Sequence, residues 1–305
     1  MAAIPTGRFA PSPTGPLHFG SLVAALASHL DARAQGGRWL VRMEDIDPPR
    51  EVPGAAALIL RQLERHGLAW DGEVLYQSSR FAAYDAIVAD LLARGAAYPC
   101  ACSRQRLQGL GGVYDGHCRG RTDLDPARCA VRLGVPPGSV IRFDDLFQGR
   151  QAQDLNREQG DFIIRRRDGL PAYQLAVTAD DAFQGVTQVI RGSDLLDSTG
   201  RQILLFGLLG SPAPVYGHIP VAINRGGQKL SKQNLAPSLD RHPPAANLRR
   251  ALAWLGIDTP AGEGDPEALL ALAVGRWRRE NIPAALARAA PAGDDEALVE
   301  PRQSR

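Results

Sequence analysis

The chain has 305 residues, 44% hydrophobic and 22% charged, which is enough apolar material for a packed core and excludes disorder over most of its length. No apolar run approaches the roughly 18 residues of a membrane helix. The opening MAAIPTGRFAPSPTG lacks the basic-then-apolar order of a secretory signal, so a cytoplasmic protein is expected. The formal net charge of +2 permits an acidic partner without demanding one. Of 35 basic side chains only Lys229 and Lys232 are lysines, and both fall in one pentapeptide. A compact ammonium on a flexible stem is not a planar fork, so lysines kept in an arginine-writing chain point to chemistry there.

Residues 7–20 read as a Pro- and Gly-rich loop at a strand end. A helix is predicted over 21–34, where Leu22, Leu26 and Leu30 recur at helical spacing and Ser21 is placed to cap it. Residues 38–43 read as a buried strand running into the acidic turn Glu44-Asp45-Ile46-Asp47. Helices are predicted over 54–66 and 81–94, each stopped by a glycine. Strand and helix alternating at this spacing predict a parallel α/β sheet. From 98 to 129 no helix period persists, and Cys100, Cys102, Cys118 and Cys129 crowd together, which reads as an inserted metal-binding module. Beyond it, strands are predicted at 139–144, 161–166 and 186–190, a helix from Ala172, another over 199–209, and one strand over 215–223. The remainder reads as helices over 245–255, 266–279 and 283–289, followed by a frayed end. The expected organisation is a catalytic domain in two parts, 1–97 and 131–240, an insertion at 98–130, and a helical region at 241–305.

Two segments carry phosphate chemistry. In Ala10-Pro11-Ser12-Pro13-Thr14-Gly15-Pro16-Leu17-His18-Phe19-Gly20-Ser21 the prolines stiffen the approach, Gly20 permits close contact, and the helix that follows aims free N–H groups at an anion. His18 stands where it can donate to a phosphate; alone, a histidine beside a glycine reads as a capping or surface residue. Walker A and GxGxxG loops are absent. In Lys229-Leu230-Ser231-Lys232-Gln233, hinged by Gly226 and Gly227, Lys232 can reach a triphosphate as a point charge; alone, such a loop reads as solvated. Zinc takes four ligands in a tetrahedron; Cys100, Cys102 and Cys118 supply three, and by chemistry alone His117 or Cys129 is the fourth. The run Arg165-Arg166-Arg167 faces either RNA phosphates or solvent.

Together, PSPTGPLHFGS and, about 210 residues later, KLSKQ resemble the two signatures of class I aminoacyl-tRNA synthetases. Arg8-Phe9-Ala10-Pro11-Ser12 and Arg42-Met43-Glu44-Asp45-Ile46-Asp47 are similar to the glutamyl branch, and the resemblance runs from about Gly7 to Asp240. It implies an α/β, Rossmann-type catalytic domain with a small zinc-binding insertion and a short helical C-terminal domain. It implies ATP-dependent activation of L-glutamate to glutamyl-adenylate, with Mg2+ accompanying ATP and one structural Zn2+. No enzyme nucleophile is needed, so the protein mainly positions and neutralises charge.

By that resemblance His18 and Lys232 are catalytic and grip the triphosphate, with Gly20, Ser21, Lys229 and Ser231 completing the ATP site. Glutamate brings one ammonium and two carboxylates, so its pocket calls for an acidic partner and an arginine fork. Glu44 is expected to take the ammonium. Arg191, together with Arg8, is expected to take the side-chain carboxylate. Phe9, Ala10, Pro11, Ser12 and Tyr173 match the remaining positions, while Asp194 and Asp197 are expected to support the sheet's carboxyl edge. Truncated glutamyl synthetases carry C-x-C and Y-x-x-x-C and bind zinc through the tyrosine oxygen, which makes Tyr114 the implied fourth ligand. Departures are Ser21, where the class has a second histidine, and Gln233, where it often has serine.

About 70 residues follow the lysine loop, too few for a large helical anticodon-binding portion. The chain therefore resembles the shortened paralogues, the glutamyl-queuosine tRNA(Asp) synthetases. That family activates glutamate without tRNA and transfers it to the cyclopentenediol ring of queuosine at the wobble position of tRNA(Asp), and a monomer is expected. Two other readings are a glutamyl- or glutaminyl-tRNA synthetase charging a tRNA 3′ end and a non-catalytic RNA-binding relative. Intact Arg8, His18, Glu44 and Lys232 argue against the last.

Overall fold

The computed structural model describes residues 4–231, 236–261 and 264–293. The first third builds β1 (Thr6–Phe9), α1 (Phe19–Ala34), β2 (Arg38–Met43), α2 (Ala55–Arg65), β3 (Leu75–Tyr76) and α3 (Phe81–Ala93). The middle holds β4 (Ala97–Cys100), α4 (Arg104–Gln108), β5 (Ala130–Leu133), β6 (Val140–Asp145), β7 (Gly149–Asp154), α5 (Leu155–Glu158), β8 (Phe162–Arg165) and α6 (Tyr173–Phe183). The last part adds β9 (Gln188–Gly192), α7 (Thr199–Leu208), β10 (Val215–Ile219), β11 (Val221–Ile223), α8 (Pro244–Trp254), α9 (Pro266–Arg276) and β12 (Ala287–Ala289).

The predicted parallel sheet is present. β1, β2 and β3 pair in parallel, with Arg8 opposite Leu40. β9 and β10 pair in parallel on the other side of β1, where the Thr187 N–H donates to Thr6 O at 2.9 Å and the Thr6 N–H to Thr187 Oγ1 at 2.8 Å. Helix α1 is apolar nearly all round, so it is buried on most faces. Leu22, Leu26 and Leu30 are each fully buried, worth roughly 1.5–3 kcal/mol apiece against exposure. The C-terminal helices close over α1. Trp254 meets Phe19 edge-on at 6.2 Å, and buried Asp31 accepts from Trp277 Nε1 at 3.0 Å and Arg279 Nε at 2.7 Å. A second core, with Tyr84, Val131, Ile164 and Leu175, lies under the antiparallel sheet β4-β5-β8.

Four expectations change. Helix α1 starts at Phe19, and its N-cap is His18 rather than Ser21, because His18 Nδ1 accepts the Ser21 N–H at 3.3 Å. The strand expected over 215–223 is two strands, β10 and β11, separated at Pro220, which has no N–H for a ladder. The helix expected over 283–289 contains a strand instead. β12 pairs in parallel with β11 and gives the Ala290 N–H to Ile223 O at 2.9 Å, while Trp254 Nε1 donates to Ala289 O at 2.9 Å. An alanine-rich segment that reads as helix is thus captured by an open strand edge. The cysteine segment is not helix-free: Ser103 caps the short α4 by accepting the Arg106 N–H. The frayed end expected beyond Gly293 lies outside the described residues. Among those described, no helix is long and apolar enough to cross a membrane.

Candidate active site

A cleft of about 450 Å³ opens where β1, β2 and β9 end. Such a crevice at the carboxyl ends of parallel strands is where open α/β sheets bind ligands. Arg8 and Phe9 come from β1, Ala10 and Ser12 from the loop after it, and His18, Gly20 and Ser21 from the start of α1. Glu44 follows β2, Tyr173 opens α6, and Arg191 ends β9. Lys229 and Ser231 reach the cleft from the lysine loop. Pro11 does not line it; its carbonyl accepts the Glu44 N–H at 3.0 Å and so fixes where Glu44 begins. Phe9 stacks on Trp39, centroids 6.4 Å apart, closing the floor. Lys232 lies outside the described residues.

The amino-acid half of the cleft rests on buried charge. Arg8 and Arg42 share one carboxylate, Asp181. Arg8 Nε donates to it at 3.1 Å and Arg42 Nη1 at 2.8 Å, and Arg42 is fully buried. Arg42 also meets Gln184 Oε1 at 2.8 Å and Glu44 Oε1 at 3.5 Å. Burial alone would raise the Asp181 carboxyl, but the Arg42 and Arg8 guanidiniums overcome it and hold it below the usual carboxylate value. For Glu44 the balance goes the other way: burial pushes its carboxyl up against the pull of Arg42 and Arg8. Burial thus disfavours the anionic form of Glu44 despite its neighbouring arginines.

Arg191 is 5% exposed. Its Nε donates to His218 Nε2 at 3.0 Å, and its Nη2 to Thr199 Oγ1 at 2.9 Å and Leu195 O at 3.2 Å. Its Nη1 is buried with no partner among the described residues. His218 Nδ1 lies 2.5 Å from Asp145 Oδ2, and both side chains are fully buried. Burial lowers the His218 imidazole's affinity for a proton.

At the nucleotide half, His18 Nδ1 accepts from a backbone N–H, so in the neutral ring Nε2 carries the proton. A Cβ on Gly20 would lie 3.2 Å from His18 Cε1, so glycine leaves room for the ring in this pose. Asp194 does not merely edge the sheet; it pairs with Lys229 Nζ at 2.5 Å. Arg165 and Arg166 are held by the fold, through Pro126 O at 2.6 Å and Asp47 at 3.2 Å respectively.

The cysteine cluster sits apart from the cleft. The Sγ atoms of Cys100, Cys102 and Cys118 lie within 4.8 Å of one another. Tyr114 Oη is 3.5 Å from both Cys100 Sγ and Cys102 Sγ, and it accepts the Cys118 N–H at 2.9 Å. The Arg132 guanidinium lies 3.9 Å over the Tyr114 ring. His117 is exposed, and Cys129, although buried, is not part of the group. Asp145, Asp181 and His218 were not anticipated from sequence, and Arg42 stood in the motif stretch with no role assigned to it. The one available signal was His218 itself, a lone histidine inside the apolar strand Val215–Ile219.

The chain belongs to the class I tRNA synthetases: the pattern of the family "tRNA synthetases class I (E and Q), catalytic domain" matches residues 6–250. Within that class it is similar to glutamyl-Q tRNA(Asp) synthetases. That of Thiobacillus denitrificans is 56% identical over 286 residues, 91% of this chain and 94% of that protein. That of Pseudomonas aeruginosa is 55% identical over 287 residues, covering 93% and 97%. In structure it is similar to the glutamate-tRNA synthetase of Elizabethkingia anophelis, with a TM-score of 0.80 and 25% identity over 96% of this chain and 69% of that one.

Proposed function

We propose that the cleft joins L-glutamate to ATP as glutamyl-adenylate and that the glutamyl group then passes to queuosine in tRNA(Asp). The observation that carries the glutamate half is Arg191 Nη1, a charged donor buried beside a cleft with no acceptor among the described residues. Leaving such a group unpaired is costly, and a substrate carboxylate relieves the cost. The substrate ammonium would in turn offset the burial that disfavours an anionic Glu44, and Arg8 is held by Asp181 at the cleft wall. Tyr173 opens α6 beside them, and Phe9, Ala10 and Ser12 supply shape. The queuosine half follows the relatives at 56% and 55% identity, whose names state that acceptor.

In the first step a carboxylate oxygen of glutamate attacks the α-phosphorus of ATP and pyrophosphate leaves. Negative charge grows on the phosphoryl oxygens, so groups already aimed there contribute most. His18 Nε2–H, the N-terminus of α1, Gly20, Ser21 and Ser231 line the cleft at that position, with Lys229 paired to Asp194, and Lys232 is assigned there by its place in the lysine motif. Magnesium bound with the nucleotide would screen its phosphates. In the second step a hydroxyl of the cyclopentenediol attacks the glutamyl carbonyl carbon and AMP leaves.

The cysteine cluster fits zinc. Three sulfurs and a phenol oxygen form a compact set of four donors of the kind a closed structural site uses. Zn2+ bound there would tie together the ends of the cysteine segment; none of its ligands lines the cleft. Tyr114→Phe is expected to weaken zinc binding at least about tenfold by removing one of four ligands. Cys129→Ser is expected to keep one zinc per chain. Zinc titration of both variants against a chromogenic chelator reads this directly.

The test of the acceptor is transfer of labelled glutamate to tRNA(Asp) with and without queuosine. Transfer only to the queuosine-containing RNA is expected. Equal transfer to both would overturn the reading and favour charging of the 3′ end.

A further inference from the structure

We propose that Asp145 and His218 are positioning residues that aim Arg191 at the substrate, by holding His218 as the neutral tautomer with its proton on Nδ1. The inference rests on the glutamate reading of the cleft. An arginine side chain only donates hydrogen bonds, so the Arg191 Nε–H, 3.0 Å from His218 Nε2, requires a lone pair on that nitrogen. The ring proton must then sit on Nδ1, 2.5 Å from Asp145 Oδ2, which accepts it. Thr199 fits the same pattern. Its Oγ1 accepts from Arg191 Nη2 at 2.9 Å, leaving its own O–H to turn toward His218 Nε2 at 3.2 Å. Three groups therefore fix the guanidinium plane and leave only Nη1 for a ligand. Tyr216 braces the arrangement, its ring stacked on His218 with centroids 6.1 Å apart and the Arg191 guanidinium 5.2 Å from its centroid.

Asp145 is itself held in one orientation. Its Oδ1 accepts the backbone N–H groups of Phe147, Gln148 and His218, each at 3.0 Å. This makes Asp145→Asn a sharp probe of the tautomer. The three N–H groups keep the amide oxygen at the Oδ1 position, so the amide nitrogen falls at Oδ2 and donates to His218 Nδ1. The ring proton moves to Nε2 and meets the Arg191 N–H head on. The variant changes no volume and touches nothing in the cleft.

The experiment pairs two measurements. Imidazole 15N spectra at neutral pH, with His218 assigned among the six histidines by difference against His218→Gln, should show Nδ1 protonated and Nε2 unprotonated in the unaltered protein. Asp145→Asn should swap the two. Glutamate-dependent ATP–pyrophosphate exchange should then show the glutamate KM of Asp145→Asn raised roughly 10- to 100-fold, the effect of spoiling one buried charge-assisted hydrogen bond, with kcat and the ATP KM within about threefold. An unaltered protein with the proton on Nε2, or a variant with unchanged glutamate KM, would overturn the inference. A variant that loses kcat and both KM values together would overturn it as well, since that marks general damage. No exchange by the unaltered protein would instead remove the glutamate reading, leaving the tautomer result to stand by itself.

Discussion

Replacing Arg191 with alanine is expected to lower kcat/KM for glutamate in ATP–pyrophosphate exchange by roughly 10²- to 10³-fold, most of it in KM, because a buried fork opposite a carboxylate is lost. The ATP KM should stay near its original value. Lysine is expected to rescue little. A single ammonium cannot reach His218, Thr199 and a ligand at once, as the guanidinium does from Nε, Nη2 and Nη1. The fold should survive either change, because His218 is neutral and keeps its bond to Asp145. A glutamate saturation curve unchanged by Arg191→Ala would mean that the substrate carboxylate is held elsewhere.

Asp181→Asn is expected to cost about 3–5 kcal/mol of stability, the range for breaking a buried ion pair by removing one partner. Arg8 and Arg42 are 4% and 0% exposed and share that carboxylate, so both lose it together, and Arg42 keeps the longer pair to Glu44 at 3.5 Å. Urea unfolding at neutral pH reads the loss. The pH dependence has a definite sign. The folded-state value of Asp181 is depressed, so its contribution is complete above the ordinary carboxylate value near 4 and fades as pH falls through the lower folded value. Asp181→Asn should therefore show a shallower loss of stability with acid in that window than the unaltered protein. Parallel curves would show that the arginines find their counter-charge in another group.

Much of the cleft was legible because its residues stand in two short strings whose types and order carry the chemistry. Arg8, Ser12, His18 and Gly20 fall in one, and Lys229 and Ser231 in the other; the fold brings them around one crevice. Glu44, Tyr173 and Arg191 were reachable through the same pattern. What supports them was not. Asp181 meets Arg8 across 173 residues and Arg42 across 139, and Asp145 meets His218 across 73, so no local spacing announces either pair. A buried aspartate looks in sequence like any of the chain's other acidic residues until its partner is known. Local elements show the same limit. Alternating strands and helices gave away the parallel sheet, since hydrophobic period is a local property. The strand Ala287–Ala289 was hidden because its alanines favour helix and only the edge of Val221–Ile223 makes it a strand. Sequence spacing favours Ser21 as the helix cap, whereas the ring of His18 caps the helix through Nδ1, which leaves Nε2 as its protonated nitrogen when the ring is neutral.

The central claim is that Arg191 and its supporting groups make a glutamate site working on ATP without RNA. It is tested most directly by ATP–pyrophosphate exchange in the absence of any tRNA, with glutamate and glutamine offered separately. The account predicts exchange with glutamate and at least about 100-fold less with glutamine, which leaves the Arg191 charge unmatched. Exchange that requires tRNA, or that proceeds equally well with glutamine, would contradict it.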